Sequence, residues 1–200
     1  MKLATLGRIA GVLALTVGLA GCIDMTQDIK VTSTTTAAAT ITQTMGADIY
    51  AMVKAAGEGD SADSKPFCKA EGDVLTENAD GSGTCVMTSE GAFADLKYDA
   101  DDNSAKPSFT DNGDGTVKVA VKTAGMVGDL GKETDPQTQA MMKQMFEGHF
   151  LTIRFGGSEV VDTNMTKTDD GSYAEIKIPF LELIDGTAKL PDELYAVVRP

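Results

Sequence analysis

Alternating apolar and polar residues run through much of this chain, and a period of two predicts half-buried β-strands. Val117, Val119 and Val121 share one face of the clearest segment, while Lys118 and Lys122 share the other. The same reasoning predicts further strands at residues 24–44 (two strands), 74–76, 84–88, 108–110, 149–155, 159–165, 172–178 and 194–198.

Turn-forming residues separate most of these segments. Residues 78–83, 111–115 and 169–171 are rich in Asp, Asn and Gly, which are the residues that tight turns require. Because strands joined by tight turns pair antiparallel, we expect a mostly antiparallel sheet. Its hairpins would include one built from the strands at residues 159–165 and 172–178.

Two segments have helical periodicity instead. Ile49, Met52, Val53 and Ala56 recur at the spacing of one helix face, which predicts a helix over residues 46–56. Asp135 and Pro136 form a typical helix start, and the second helix would run to about residue 148. Its inward residues would be Met141, Met142, Met145 and Phe146. The predicted fold is therefore α+β, a mostly antiparallel sheet with two principal helices packed on one face.

The first 21 residues have the layout of a secretory signal peptide. Lys2 and Arg8 supply positive charge, and an apolar run follows that is shorter than the about 20 residues a bilayer span needs. The segment ends in Leu19-Ala20-Gly21-Cys22, which resembles the lipobox of bacterial lipoproteins. The resemblance implies that residues 1–21 are removed and that Cys22 becomes a diacylated first residue. A transmembrane anchor, or a cleaved signal with an incidental Cys, is the alternative.

Removal of that segment would leave residues 22–200, a length that suits one domain facing the periplasm. Ile23 follows the Cys, whereas the known inner-membrane retention signal uses Asp there. We therefore expect a lipid-anchored protein of the cell envelope, in the outer membrane rather than the inner.

The chain is strongly acidic, with a formal net charge of −13. Loss of Lys2 and Arg8 would change this by two, to −15. Such a charge opposes contact with nucleic acid and with anionic headgroups, so no nucleic-acid partner is expected. The acyl chains would then be the only membrane anchor.

Two of the three Cys residues remain once Cys22 is assigned to lipidation. Cys68 and Cys85 would meet an oxidising compartment, where a disulfide is the expected outcome. The alternative is a redox-active or metal-binding pair, but the spacing is far from Cys-x-x-Cys and no His lies near.

No cofactor and no metal site is predicted. Asp99, Asp101 and Asn103 match the first ligand positions of an EF-hand loop, but Ser104 and Thr110 stand where Gly and a bidentate Glu are required. Met141, Met145 and His149 lie at i, i+4 and i+8, a pattern that could hold Cu(I) on a continuous helix. Packing of flexible Met side chains in a core is the favoured interpretation.

No catalytic motif is present either, so we predict that the protein is not an enzyme. His149 is the only His, and no partner for it is identifiable in the sequence. Residues 156–159 contain Ser158 but do not match the Gly-x-Ser-x-Gly nucleophile elbow.

The chain after Cys22 resembles the LppM-type bacterial lipoproteins. The matching features are a β-rich hairpin over residues 29–41, the turn Phe155-Gly156-Gly157, and a hairpin over residues 164–171. Gly156 replaces the Pro of that family's turn, the last hairpin has no Trp, and no C-terminal membrane span follows. The resemblance implies an α+β fold that cradles lipid or glycolipid.

The leading hypothesis is therefore a non-enzymatic lipoprotein that binds an apolar or lipid-like ligand between sheet and helices. The alternative is a structural or assembly lipoprotein that contacts another envelope protein through exposed apolar area on a sheet edge. Copper handling by Met and His is a third possibility. The candidate ligand-binding residues are Ile49, Met52, Val53, Met141, Met142, Met145 and Phe146.

Overall fold

The computed structural model describes residues 23–57, 67–68, 72–98, 106–124, 126, 137, 140, 143 and 145–200. Strands dominate these residues, as predicted. In chain order the elements are β1 (Ile23–Val31), β2 (Thr36–Met45), α1 (Ala47–Gly57), β3 (Val74–Glu77), β4 (Gly83–Ala92), β5 (Ser108–Asp111), β6 (Val117–Lys122), β7 (Phe150–Gly156), β8 (Glu159–Thr163), β9 (Thr166–Lys167), β10 (Tyr173–Pro179), α2 (Phe180–Ile184) and β11 (Glu193–Arg199). Helical backbone is also described at residues 137, 140, 143, 145 and 146.

The strands form two sheets. The larger has seven strands in the order β3-β4-β2-β1-β7-β10-β9, and the smaller has four in the order β5-β6-β11-β8. Pairing is antiparallel except between β1 and β7, which run parallel. The prediction of a mostly antiparallel α+β fold is thus confirmed in outline.

The β1–β2 hairpin turns without Gly or Asn. The Ser33 hydroxyl oxygen accepts hydrogen bonds from the backbone N–H groups of Thr35 (3.1 Å) and Thr36 (3.0 Å). A serine can close a turn in this way because its side chain replaces a backbone acceptor. The turn fixes a register in which Ile23 faces Met45 and Val31 faces Ala37.

The prediction that residues 159–165 and 172–178 pair as a hairpin is wrong. β8 pairs with β11 in the smaller sheet, whereas β10 pairs with β7 and with the two-residue β9 in the larger one. The chain changes sheets at Gly157, where a Cβ would overlap the carbonyl oxygen of Arg199. The change of sheet places Val160 among the buried residues between the sheets. The alternation of apolar and polar residues in this segment does not show that Val160 becomes buried there.

The core lies between the two sheets. Ile29, Phe155 and Ala174 of the larger sheet share one buried cluster with Val119 and Leu194 of the smaller. The prediction that the helices cover the sheet is therefore wrong over this region. The four-stranded sheet covers it, because its valine-rich strands present an apolar face toward the larger sheet.

The opposite face of the larger sheet is polar. Thr42, Thr26 and Thr152 lie side by side on β2, β1 and β7. In the next row Arg154 lies between Asp28 and Glu175. The Arg154 Nη1 donates to the Asp28 carboxylate at 2.9 Å, and the Glu175 carboxylate lies beside the same guanidinium on the neighbouring strand. Burial raises the pKa of Asp28, and the Arg154 charge opposes that rise.

Candidate functional site

The inner face of the larger sheet, the face that carries Ile29, divides into two halves. Toward the end of β1, Ile29, Val31, Ala37 and Phe155 are fully buried beneath the smaller sheet. Toward the beginning of β1 the same face carries half-buried residues, which are apolar except for Gln27 and Gln43. The residues beneath the smaller sheet are thus fully buried, whereas those near the beginning of β1 are only partly buried.

The half-buried part is rich in methionine. Alternation from Ile29 places Met25 and Ile23 on the inner face, and strand register brings Met45 and Leu151 beside them. Met87 lies one row further along, next to Ile41. We call the set Ile23, Met25, Met45, Met87 and Leu151 the methionine-lined face. Methionine side chains are flexible and polarisable, so this surface can adapt to an irregular apolar molecule.

Helix α1 crosses the end of the sheet beside this face. Gly83, which pairs with Met45, lacks a side chain where the Tyr50 ring lies, and a Cβ at Gly83 would overlap that ring. The Tyr50 hydroxyl donates to Glu77 at 2.8 Å, and the Lys54 ammonium donates to the same carboxylate at 2.6 Å. The hydrogen bonds from Lys54 and Tyr50 lower the pKa of Glu77. The helix is therefore docked at the ends of β4 and β3.

A disulfide secures the same corner. Cys68 and Cys85 are bonded, as predicted, and their Cα atoms are 5.4 Å apart. Phe67 contacts Tyr50 edge to face at 6.0 Å between ring centroids, so the bond also holds an aromatic contact to α1. Asp73 lies within 4.8 Å of both sulfurs, but sulfurs joined to each other are not thiolate ligands for a metal.

The other flank of the methionine-lined face is aromatic. Phe146 and Phe180 are in ring contact at 5.2 Å, and Phe180 packs against the main core. The Asp24 carboxylate accepts the backbone N–H of Phe150 at 2.9 Å and lies 3.0 Å from the His149 Nδ1. These bonds tie the start of β7 to the start of β1.

The structure describes five of the seven residues predicted to bind a ligand. Ile49 is buried against the fold, Val53, Met145 and Phe146 are half-buried, and Met52 is 60% exposed. Met141, Met142 and the predicted lipidation residue Cys22 lie outside the described residues. The lining role of all seven residues stays a prediction.

Sequence reasoning missed the strand residues of the methionine-lined face. Part of the signal was available, because Ile23 and Met25 lie at the same alternate positions as Ile29 and Val31, although Gln27 interrupts the apolar pattern. The sequence does not show which residues of the larger sheet the smaller sheet covers, and this decides which of them are fully buried.

No helix in the part of the chain that the structure describes combines the length and apolarity needed to cross a bilayer. Met145 and His149 of the suggested copper pattern are described, and the Nδ1 of His149 is engaged by Asp24. Chemically, the arrangement offers an apolar contact surface between an aromatic pair and a docked helix.

Comparison with known proteins gives one structural similarity. No protein-family model matches the chain. No curated protein matches it either. The NMR structure of the folded domain of the Mycobacterium tuberculosis LppM protein is similar at 14% sequence identity and a TM-score of 0.48, over 90% of this chain and 91% of that one. LppM is the name that the sequence resemblance indicated, and membership of that family stays a prediction.

Proposed function

We propose that this protein is a non-enzymatic lipoprotein of the cell envelope that holds an apolar, lipid-like ligand on its methionine-lined face. Acyl chains on Cys22 would anchor it, and residues 22–200 would form the body that faces the periplasm. The outer membrane is the expected location because Ile23, not Asp, follows the Cys.

One observation carries the ligand proposal. Apolar residues of the methionine-lined face lie on the inner face of the larger sheet beside Gln27 and Gln43, and they are half-buried, whereas Ile29 and Phe155 are fully buried beneath the smaller sheet. A half-buried apolar surface between a helix and an aromatic pair is costly to leave in water, at about 25 cal/mol per Å². Occupation by an apolar molecule would remove that cost, and flexible methionines suit a ligand with conformational freedom.

The anchoring proposal is tested with Cys22→Ser. The unchanged chain should fractionate with membranes and carry the mass of attached acyl chains. The variant should leave the membrane fraction, because a body of net charge −15 has no electrostatic attraction to an anionic surface. Recovery of Cys22→Ser in the membrane fraction would contradict lipid anchoring.

The ligand proposal is tested on the released Cys22→Ser protein by native mass spectrometry and by uptake of the apolar fluorophore N-phenyl-1-naphthylamine. Met25→Gln and Met87→Gln should each weaken uptake at least threefold, because each places an amide on the apolar surface. Val161→Gln, an exposed position on β8 of the smaller sheet, is the matched control. Absence of co-purified lipid together with absence of uptake would refute the proposal.

A second candidate function rests on the edge of the larger sheet. β3 is an outer strand, all four of its residues are exposed, and they include Val74 and Leu75. An apolar edge strand can accept a strand from a partner, which supports an assembly role. A photocrosslinking residue at position 75 should give a discrete protein adduct in cells, and the same residue at position 161 should not.

A further inference from the structure

We propose that the end of the domain where β1 begins lies against the bilayer, so that the methionine-lined face opens toward the leaflet that holds the anchor. The apolar ligand would then be a membrane lipid drawn from that leaflet. This inference rests on the proposed lipidation of Cys22.

The first argument is the length of the tether. Cys22 is bonded directly to Ile23, and Ile23 is already the first residue of β1, paired with Met45. Consecutive Cα atoms are about 3.8 Å apart, so an acylated Cys22 cannot be far from this end of the sheet. A flexible linker of ten residues would by contrast give a root-mean-square separation of about 16–19 Å. The domain has no such spacer between its anchor and its first strand.

The second argument is what lies at that end. β2 ends there, and β7 begins there because it runs parallel to β1. Phe150, the first residue of β7, is 37% exposed. Helix α1 follows β2 directly and is held to Glu77 at the end of β3, so exposed Met52 lies at the same end. Large apolar side chains are thus exposed close to the attachment point.

The third argument concerns charge. Ionisable groups at this end have polar partners: Asp24 is hydrogen-bonded with His149 at 3.0 Å, and Lys54 forms an ion pair with Glu77 at 2.6 Å. A paired ion is less costly to bring near a low-dielectric surface than an isolated one. Asp48, Asp80 and Glu147 are exposed acids at this end, so the contact should be strongest on phospholipid headgroups without net charge.

The chain contains no Trp, so a single introduced Trp reports its own surroundings. We would place Phe150→Trp, Met52→Trp and Val161→Trp separately in the full lipidated protein. Each would be reconstituted in phosphatidylcholine vesicles whose acyl chains are brominated at the 6 and 7 positions. Val161 is the control because its exposure, 43%, is close to that of Phe150 and it lies on the smaller sheet. Quenching at positions 150 and 52 should exceed that at position 161 at least twofold.

Equal quenching at all three positions, or quenching that is strongest at position 161, would overturn the orientation. Intact-mass measurement of the same samples separates the two proposals. A protein without acyl chains would refute the proposed anchoring and the orientation together, whereas an acylated protein without the quenching difference would refute the orientation alone. Photoreactive phospholipids, applied to the unsubstituted lipidated protein, provide a measurement that needs no introduced Trp. They should label residues 47–57 and 145–151 in preference to residues 159–163.

Discussion

Removing the Cys68–Cys85 bond should destabilise the fold by about 3 kcal/mol. The bond joins residues 17 apart in sequence and so closes a loop of 18 residues. In the chain-entropy model such a loop restricts the unfolded chain by about 11 cal/mol/K, which is about 3 kcal/mol at 25 °C. For a domain of this size each kcal/mol shifts Tm by about 2–4 °C, so the expected fall is about 6–12 °C.

Cys68→Ala is the informative substitution because Cys68 is half-buried, whereas Cys85 is fully buried and stays in place as a thiol. Thermal unfolding would be followed by circular dichroism, with Cys22→Ser in every sample to prevent mixed disulfides. Dithiothreitol should bring the parent down to the Tm of Cys68→Ala and leave the variant unchanged. A variant within 2 °C of the oxidised parent would refute the reasoning. A reduced parent that keeps its Tm while the variant loses it would assign the effect to packing instead of the cross-link.

Three further substitutions test the packing and the turns. Phe155→Ala should cost about 3–5 kcal/mol in urea denaturation, because its ring is fully buried between the sheets and leaves a cavity. Gly83→Ala should cost about 1–3 kcal/mol, because a Cβ there displaces the Tyr50 ring. In the Asp170 turn, hydrogen bonds from Thr168 and Ser172 lower the carboxyl pKa to about 2. Its stabilising effect is therefore complete above the ordinary pKa of 3.8 and is lost as pH falls through about 2. Asp170→Asn should flatten the dependence of Tm on pH between 4 and 2.

The first two substitutions have a matched control, and each of the three has a result that would contradict it. Phe150→Ala, at an exposed position, should cost much less than Phe155→Ala, and equal costs would contradict burial between the sheets. Gly83→Ala should cost less in a Tyr50→Ala background than in the parent, and an unchanged cost would show that the two residues do not meet. An Asp170→Asn variant with the parental pH slope would contradict the assignment of the low pKa to the turn.

The local structure of this protein followed from its sequence. Alternation in residues 117–122 and 149–155 predicted β6 and β7, and the helical spacing of Ile49 and Val53 predicted α1. The disulfide was also predictable, because only two Cys residues remained once Cys22 was assigned elsewhere. These features depend on side-chain period and on residue chemistry, both of which are local.

The pairing of strands was decided only by the tertiary structure. The segment that joins β8 and β10 is rich in turn-forming residues, yet the two strands belong to different sheets. In the smaller sheet Val160 of β8 is buried between the two sheets. The parallel pairing of β1 with β7 joins residues more than 120 positions apart, for which the sequence holds no local signal.

The candidate site shows the same division. The apolar character of Ile23 and Met25 could be read from alternation, but their partial exposure could not. Their partial exposure follows from their position, because they lie outside the buried cluster that the two sheets share. The sequence by itself determined which residues are apolar and where the chain turns. Only the tertiary structure decided which apolar residues are fully buried and which are half-buried, because burial depends on what packs opposite a residue and not on the residue itself.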